Sequence, residues 1–472
     1  MNAYISKTLR TAAAAALIIT GAQAAAQETA PAGAPGAAAA SPVAAPEPAV
    51  APAPAASPAA PKAGVTLYGT LNGNFQITQA KGATNAADSV ASRNAVSIDS
   101  SNVGVKAQAE LLNGFGVTAQ CETGASFDGL DTKALCNRNS RVGVTSPYGT
   151  LFLGNWDTPL KSATYGTRVD DPFLNTDVFG YQGIIGSPGF NYRSGGGTSA
   201  AGAAPKGAVA NPAGSVVSGF DVRAGNSVAY HSPKLYGASA RVQYSSSEFA
   251  SKDGKFKPQL FSVAASYEWS GLSIVAAYER HDDWYGLAGL NSPASLDTPV
   301  TVKASPAFGA TAGNTADHSS VDWAWRAGAG YQLDTAAGAT TVSVLVDQLT
   351  FGQENAAANA VKEYKRLAWQ IAAKHRYGGH ELRARFDAAD AGDAKLVGGA
   401  AASTDGYGAK QFTVGYAYHL SKAAQAYLSF TRIVNERNAQ YTLTIGGSPA
   451  VAGKTPKGAD PQAVGLGLRY SF

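Results

Sequence analysis

Methionine occurs once in 472 residues, cysteine twice, and charged residues make up only 15% of the chain. So little methionine argues against a helical core padded with flexible side chains. Cys121 and Cys136 form no Cys-x-x-Cys pair, which excludes a thiolate zinc cluster. The charge fraction lies well below the roughly 25% of ordinary soluble proteins. With 37 Lys and Arg against 33 Asp and Glu, the surplus of four is too small to suggest nucleic acid as a partner. No run of about 18 apolar residues follows the amino-terminal stretch, so no ordinary membrane-spanning helix is encoded. The six histidines are scattered, with no pair at metal-ligand spacing backed by carboxylates. By length alone about three soluble domains of roughly 150 residues would be expected. The abundance of glycine (53) and tyrosine (21) points instead to extended β structure.

The two ends of the chain carry an address. Lys7 and Arg10, the apolar run Ala12 to Thr20 and the small residues Ala24-Ala25-Ala26 read as an export signal over residues 1–26. Residues 27–63 are almost entirely Ala and Pro, with too little apolar bulk to form a core, and are expected to stay extended. At about 3.1 Å per residue such a segment reaches roughly 115 Å. It suits either a tether to the cell wall or another periplasmic envelope component, or a spacer with no partner. Export also places Cys121 and Cys136 in an oxidising space, which permits a disulfide between them.

From Gly64 onward the pattern has period two. Val65, Leu67, Leu71, Phe75 and Ile77 share one parity, with Thr66, Thr70, Asn72, Asn74 and Gln76 between them. Trp323, Trp325, Ala327, Ala329 and Tyr331 oppose Asp322, Arg326 and Gln332 in the same way. About 16 such segments fit between Gly64 and Phe472. Tight turns such as Asn113-Gly114, Ser270-Gly271 and Gly378-Gly379 alternate with long Gly-, Ala- and Ser-rich connections. A soluble β-sandwich would share the alternation but not the rest. Here the apolar faces are rich in Tyr and Trp near segment ends, and the opposite faces carry Arg, Lys, Asp and Glu well inside the segments. The expected fold is therefore all-β, a transmembrane antiparallel barrel of 16 strands over residues 64–472. Val464, Leu466, Leu468, Tyr470 and Phe472 supply a last strand that can pair with the first.

With these segments located, several stretches resemble the general trimeric porins of Gram-negative outer membranes, of the betaproteobacterial type. They include Gly64-Val-Thr-Leu-Tyr-Gly69, Asn137-Arg138 through Val142-Gly143-Val144, Tyr148-Gly-Thr-Leu-Phe-Leu-Gly154, and Arg223-Ala-Gly-Asn226 through Tyr230-His-Ser232-Pro233. Leu420-Ser421-Lys422 and the terminal Val464-Gly465-Leu466 to Phe472 complete the set. The resemblance covers roughly residues 64–472. It implies a homotrimer in outer-membrane lipid, and a loop after the fifth strand that folds inward and constricts the pore. Two departures stand out. Ser101-Asn102 and Gly154-Asn155 stand where the family usually carries arginines of the pore wall, so its usual selectivity does not transfer intact.

Candidate site residues follow from parity and from the resemblance together. In the long connection from Asp157 to Arg223, the expected constriction residues are Asp157, Lys161, Arg168, Asp170, Asp171 and Asp177, with Phe173, Phe179, Tyr181, Ile184 and Ile185 packing it against the wall. Lys106, Glu110, Arg241, Arg326, Arg366, Lys374, Arg383 and Arg385 are expected on the lumen wall. Acidic loop opposite unpaired basic wall would set a field across the channel. The Gly- and Ala-rich stretches Ser194 to Gly219 and Pro293 to Ala312 are expected to project outward.

Signs of catalysis are weak. Gly447 to Thr455 has five residues between its glycines, and Pro456 stands where a phosphate-binding helix would begin. His419-Leu420-Ser421 has a His-x-Ser spacing but falls at a short turn. No enzyme activity and no cofactor are expected. The expected function is passive diffusion of small hydrophilic solutes and ions. The alternative is a structural or adhesive envelope protein anchored by the barrel, binding through the Ala/Pro segment or the surface loops.

Overall fold

The computed structural model describes residues 63–98, 100–126, 134–173, 177–189, 220–246, 259–284, 320–353, 361–443 and 455–472. The export signal, residues 27–62, the stretches 194–219 and 293–312, and most of 447–455 lie outside the described residues.

Sixteen antiparallel strands follow the alternating segments. They are β1 (Ala63–Lys81), β2 (Val90–Ile98 and Asn102–Glu110), β3 (Gly116–Gly124), β4 (Ser140–Ser146), β5 (Gly149–Asp157), β6 (Arg223–His231), β7 (Ala238–Ser246) and β8 (Gln259–Trp269). The second half comprises β9 (Leu272–Asp282), β10 (Ser320–Thr335), β11 (Gly338–Gln353), β12 (Val361–Tyr377), β13 (His380–Ala389, continued by Asp393–Leu396), β14 (Ala409–His419), β15 (Ala424–Asn435) and β16 (Asp460–Ser471). Both halves of β2 run along β1, with Gly73 opposite Ile98 and Thr70 opposite Asn102. At the break between them, the Asn72 N–H donates to Ser101 Oγ at 2.8 Å, so a side chain takes over where the ladder lapses.

Each strand pairs with the next, and β16 returns to β1 in register from Thr70–Ser471 to Lys81–Asp460. Gly69 and Phe472 exchange two backbone hydrogen bonds of 3.0 Å each, so the sheet closes to its last residue. Closure is the physical answer to lipid, which cannot satisfy an edge strand's amides. Seven turns of two to six residues join the strands at one end, where Ala63 and Phe472 also lie. The other end holds connections of seven residues or more, the longest spanning 158–222.

The two faces separate as parity predicts. Leu466 and Leu468 of β16 are 62% and 55% exposed, and Val414, Tyr416 and Tyr418 of β14 are exposed as well. Their neighbours Gly465, Gly467, Thr413 and Ala417 face inward and are buried. Asn72, Asn74, Gln76, Gln243, Ser262, Gln370 and Gln411 line the same inner face. An apolar belt on one side with buried amides on the other is the reverse of a soluble domain, and it suits a barrel in hydrocarbon. Cys121 lies on the outward parity of β3 with Val117 and Ala119. It is disulfide-bonded to Cys136, with their Cα atoms 4.8 Å apart.

Depth in lipid sets the cost of misplaced charge. Leu466→Arg, at the middle of β16, should lose about 2–4 kcal/mol of stability, whereas Leu420→Arg in a short turn should lose about 0–1 kcal/mol. Denaturant unfolding of both variants in lipid vesicles checks the difference.

Candidate functional site

The connection after β5 turns back onto the inner face of the barrel. The Leu160 N–H donates to Ser262 Oγ of β8 at 3.0 Å, and the Arg168 N–H to Ser273 Oγ of β9 at 3.1 Å. Arg241 of β7 donates to the carbonyl and the hydroxyl of Ser162 at 2.7 and 3.0 Å. Two wall glycines make room for this approach. A Cβ on Gly330 would lie 2.4 Å from the Arg168 carbonyl oxygen, and one on Gly465 would lie 2.8 Å from the Phe179 ring. Phe173, Phe179, Tyr181, Ile184 and Ile185 are fully buried in one apolar cluster with the wall residues Val275, Leu345, Ala368 and Ala463.

Three arginines hold the segment from the wall side. Arg326 of β10 donates to Asp221 at 3.0 Å, to Asp347 of β11 at 3.4 Å, and to Tyr181 Oη and the Leu160 carbonyl. Arg366 of β12 donates to Asp347 at 2.7 Å, to the Ile184 carbonyl at 2.7 Å, and to the Ser187 carbonyl. Arg385 of β13 donates to Asp387 at 2.7 Å, to both oxygens of Asp171 at 2.9 Å, and to the carbonyls of Phe179 and Gly180. The side chains of all three are 0% exposed. The expectation of unpaired charges across the lumen is corrected here. Asp171 sits in contact with Arg385, Asp221 with Arg326, and Arg366 is matched by the wall acid Asp347 and two loop carbonyls, so each guanidinium has at least one carboxylate partner. Buried without partners they would carry a large desolvation cost, and pairing is what permits them there.

The remaining candidates are distributed differently. Asp157 ends β5 and pairs with Lys161 at 2.9 Å and Arg223 at 3.0 Å. Arg383 pairs with Glu381 at 2.6 Å and donates to Gln425. Lys106 places its ammonium 4.4 Å above the Tyr68 ring. Glu110 is exposed at the short-turn end of β2, and Asp177 opens a single turn, Asp177–Phe179. Lys374 is half-buried on β12.

Asp170 is the loop acid with an unusual environment. Burial pushes its carboxyl up to about 7, and the neighbouring Asp171 carboxylate adds to the rise. The Gly166 N–H bonded to it and the charge of Lys374 pull the other way. Burial, with the Asp221 carboxylate adding to it, holds the Tyr181 phenol far above its ordinary range, so it stays protonated.

The inner faces of β1 to β6 are lined by residues outside the predicted set. Tyr68 donates to Glu122 at 3.0 Å, and Arg138 donates to the other oxygen of Glu122 at 2.7 Å. The Arg141 guanidinium lies 4.8 Å from the centre of Phe152 and 4.6 Å from that of Trp156. Phe152 also meets His231 edge-on at 5.0 Å. Parity alone marks Glu122, Arg141, Asp347 and Asp387 as inward. Asp221 carries no such signal, because it follows a Gly-, Ala- and Ser-rich stretch outside any strand.

A family model of Gram-negative porins matches residues 12–438. The chain belongs to the Gram-negative porin family. Among solved structures, the anion-selective porin from Comamonas acidovorans superposes with a TM-score of 0.58 at 18% identity, covering 87% of this chain and 100% of that one. OmpT of Vibrio cholerae in its trimer form gives 0.53 at 14% identity, covering 87% of this chain and 99% of the other. At these identities the likeness concerns the fold. No curated protein sequence matches the chain. Family and barrel together place this porin in the outer membrane, as a channel for passive diffusion of solutes and not as an enzyme.

Removing one latch should cost more than one contact. Arg385→Ala would leave Asp171 and Asp387 buried without their cation and should lose about 3–5 kcal/mol. Denaturant unfolding in lipid measures it, and Arg385→Lys should recover only part, since one ammonium cannot reach the same five acceptor groups.

Proposed function

We propose that the segment 158–189 is the constriction of this porin, and that solutes pass between it and the inner faces of β1 to β6. Apart from its junctions with β5 and β6, where Lys161 meets Asp157 and Thr158 meets Val222, the wall contacts described for the segment run to β7 and later strands, which supports an opening on the other side. We further infer a preference for small anions. Among the described residues, Arg93, Lys106, Arg138, Arg141, Lys161 and Arg223 stand on the inward side of β1 to β6 or at the entry to the segment against Glu110, Glu122 and Asp157, six cations to three anions. The observation that carries this reading is Arg141, which among the described residues has two aromatic rings for partners and no carboxylate. The name of the anion-selective porin from Comamonas acidovorans supports the same sign.

A homotrimer is the assembly this reading favours, supported by the trimer form of the Vibrio cholerae protein. Residues 1–26 are then the export signal, and residues 27–62, up to the start of β1 at Ala63, an extended periplasmic tether within reach of the cell wall.

Purified protein in a planar bilayer should conduct in steps grouped by three, and a potassium chloride gradient should give an anion-selective reversal potential. Arg141→Gln should move that potential toward cations. Silence at high protein would favour the anchoring function instead.

Asp170 adds a dependence on pH. It is neutral below about 7 and gains a negative charge as pH rises through that value, so anion preference should fall between roughly pH 6 and 8. Because the folded chain holds this proton more tightly than the unfolded chain, its contribution to stability also declines over the rise to about 7. In Asp170→Asn the reversal potential should stay flat across the same range.

A further inference from the structure

The outer face of the barrel carries a groove that the channel does not use. It encloses about 590 Å³ at the long-loop rim, between Val321 and Trp323 of β10, Lys362 and Glu363 of β12, and Lys395 and Leu396 in the continuation of β13. Register places Val321, Trp323, Glu363 and Lys395 on the outward face, and Lys362, exposed at an irregularity of the ladder between Val361 and Glu363, lines the groove beside them. Trp323 lies opposite Thr350, which lies opposite Lys365, which lies opposite Asp393. Two residues along, Val321, Gly352, Glu363 and Lys395 form the parallel row on the same face. The inward neighbours of Trp323 are the buried Asp322 and Ala324. The hairpin formed by Asp393–Leu396 and Ala401–Ala402 walls the groove on one side.

We propose that this groove binds the phosphate-bearing headgroup of an outer-leaflet lipid, with Lys362, Lys365 and Lys395 facing the phosphate and Val321 and Trp323 against the acyl chains. Long connections mark the external rim of such a barrel, and Trp and Tyr gather where hydrocarbon meets headgroups. Trp323 stacks on the outward Tyr278 with ring centres 6.5 Å apart, which puts this boundary at the floor of the groove. Lys362 and Lys395 line the groove, and Lys365 stands beside it in the Trp323 row, three ammonium groups against the carboxylates of Glu363 and Asp393. Lys395 pairs with Glu363 at 2.8 Å and Lys365 with Asp393 at 3.3 Å, both in exposed geometry that a phosphate can displace. Lys362 is exposed and has no ion-pair partner among the described residues. An apolar floor under a cationic rim complements an anionic amphiphile, whereas a neutral lipid would leave the surplus lysine unmatched.

The test uses the full chain folded in detergent, with bisphosphorylated lipid A as the probe and native mass spectrometry as the readout. One lipid A per chain is expected to bind. Binding should be about tenfold weaker or more for dephosphorylated lipid A, and for the double variant Lys362→Gln/Lys395→Gln. Lys422→Gln, at the opposite rim, should bind as the unmodified chain does. Equal binding of the dephosphorylated lipid overturns the proposal, and that comparison needs no variant. Unchanged binding by the double variant, once its folding is confirmed by heat-modifiable gel mobility, overturns it as well. So does release of the lipid by millimolar inorganic phosphate, which would mark a small-anion site. A changed subunit number in the double variant would assign the face to a second copy of the chain and likewise overturn the proposal.

Discussion

Hydrocarbon cannot hydrogen-bond an amide, and the remaining features of this molecule follow from that constraint. A chain crossing lipid as strands must pair every strand on both sides, so the sheet closes and β16 finds β1. Once closed, its two faces meet different surroundings. Period-two alternation, which in a soluble sheet would separate core from water, here separates lipid from interior. Leucine at 62% exposure and glutamine at 0% therefore belong to one stable arrangement, as Leu466 and Gln76 do.

Charge inside the barrel divides into two kinds by its surroundings. Arg326, Arg366 and Arg385 are stripped of water and survive because Asp347, Asp387, Asp171 and Asp221, with several loop carbonyls, replace the lost hydration. Such groups hold a backbone in place, and each positive charge is offset by a carboxylate in direct contact with it. Arg141 has a different environment. Aromatic faces stabilise its guanidinium without neutralising it, so its charge remains available along β1 to β6. Counting arginines on the lumen parity therefore overstates the basic character of the passage. What matters is which of them lack a carboxylate within reach.

Much of the fold is legible in the sequence because parity is a local property. The alternation around Trp323, the turn at Ser270-Gly271 and the aromatic end at Phe472 each specify a strand, a reversal or a closing edge without knowledge of distant residues. The pairing of charges is not local. Asp171 and Arg385 are 214 positions apart, and Arg326 and Asp221 are 105 apart. Whether an inward arginine faces water or a carboxylate depends on where the 158–222 connection lies, and strand periodicity says nothing of that. The acids of the latches were visible as inward parity at Asp347 and Asp387. Their role emerges only when the arginines of neighbouring strands are seen to share them.

The latches also explain why the cation is arginine at all three positions. Arg385 serves Asp387, Asp171, two backbone carbonyls and Thr413 from one planar group, reaching them in several directions at once. A guanidinium offers five donors in a fixed fork, whereas an ammonium offers three from a single point. Lysine at the end of its stem could satisfy Asp387 or the loop carbonyls, but not both sides of the gap. The remaining acceptors would then be buried and unmatched. Geometry, more than the sign of the charge, thus sets the residue type. The same reasoning separates these sites from Lys106 and Lys374, which are less deeply buried and need no fork to bridge wall and loop.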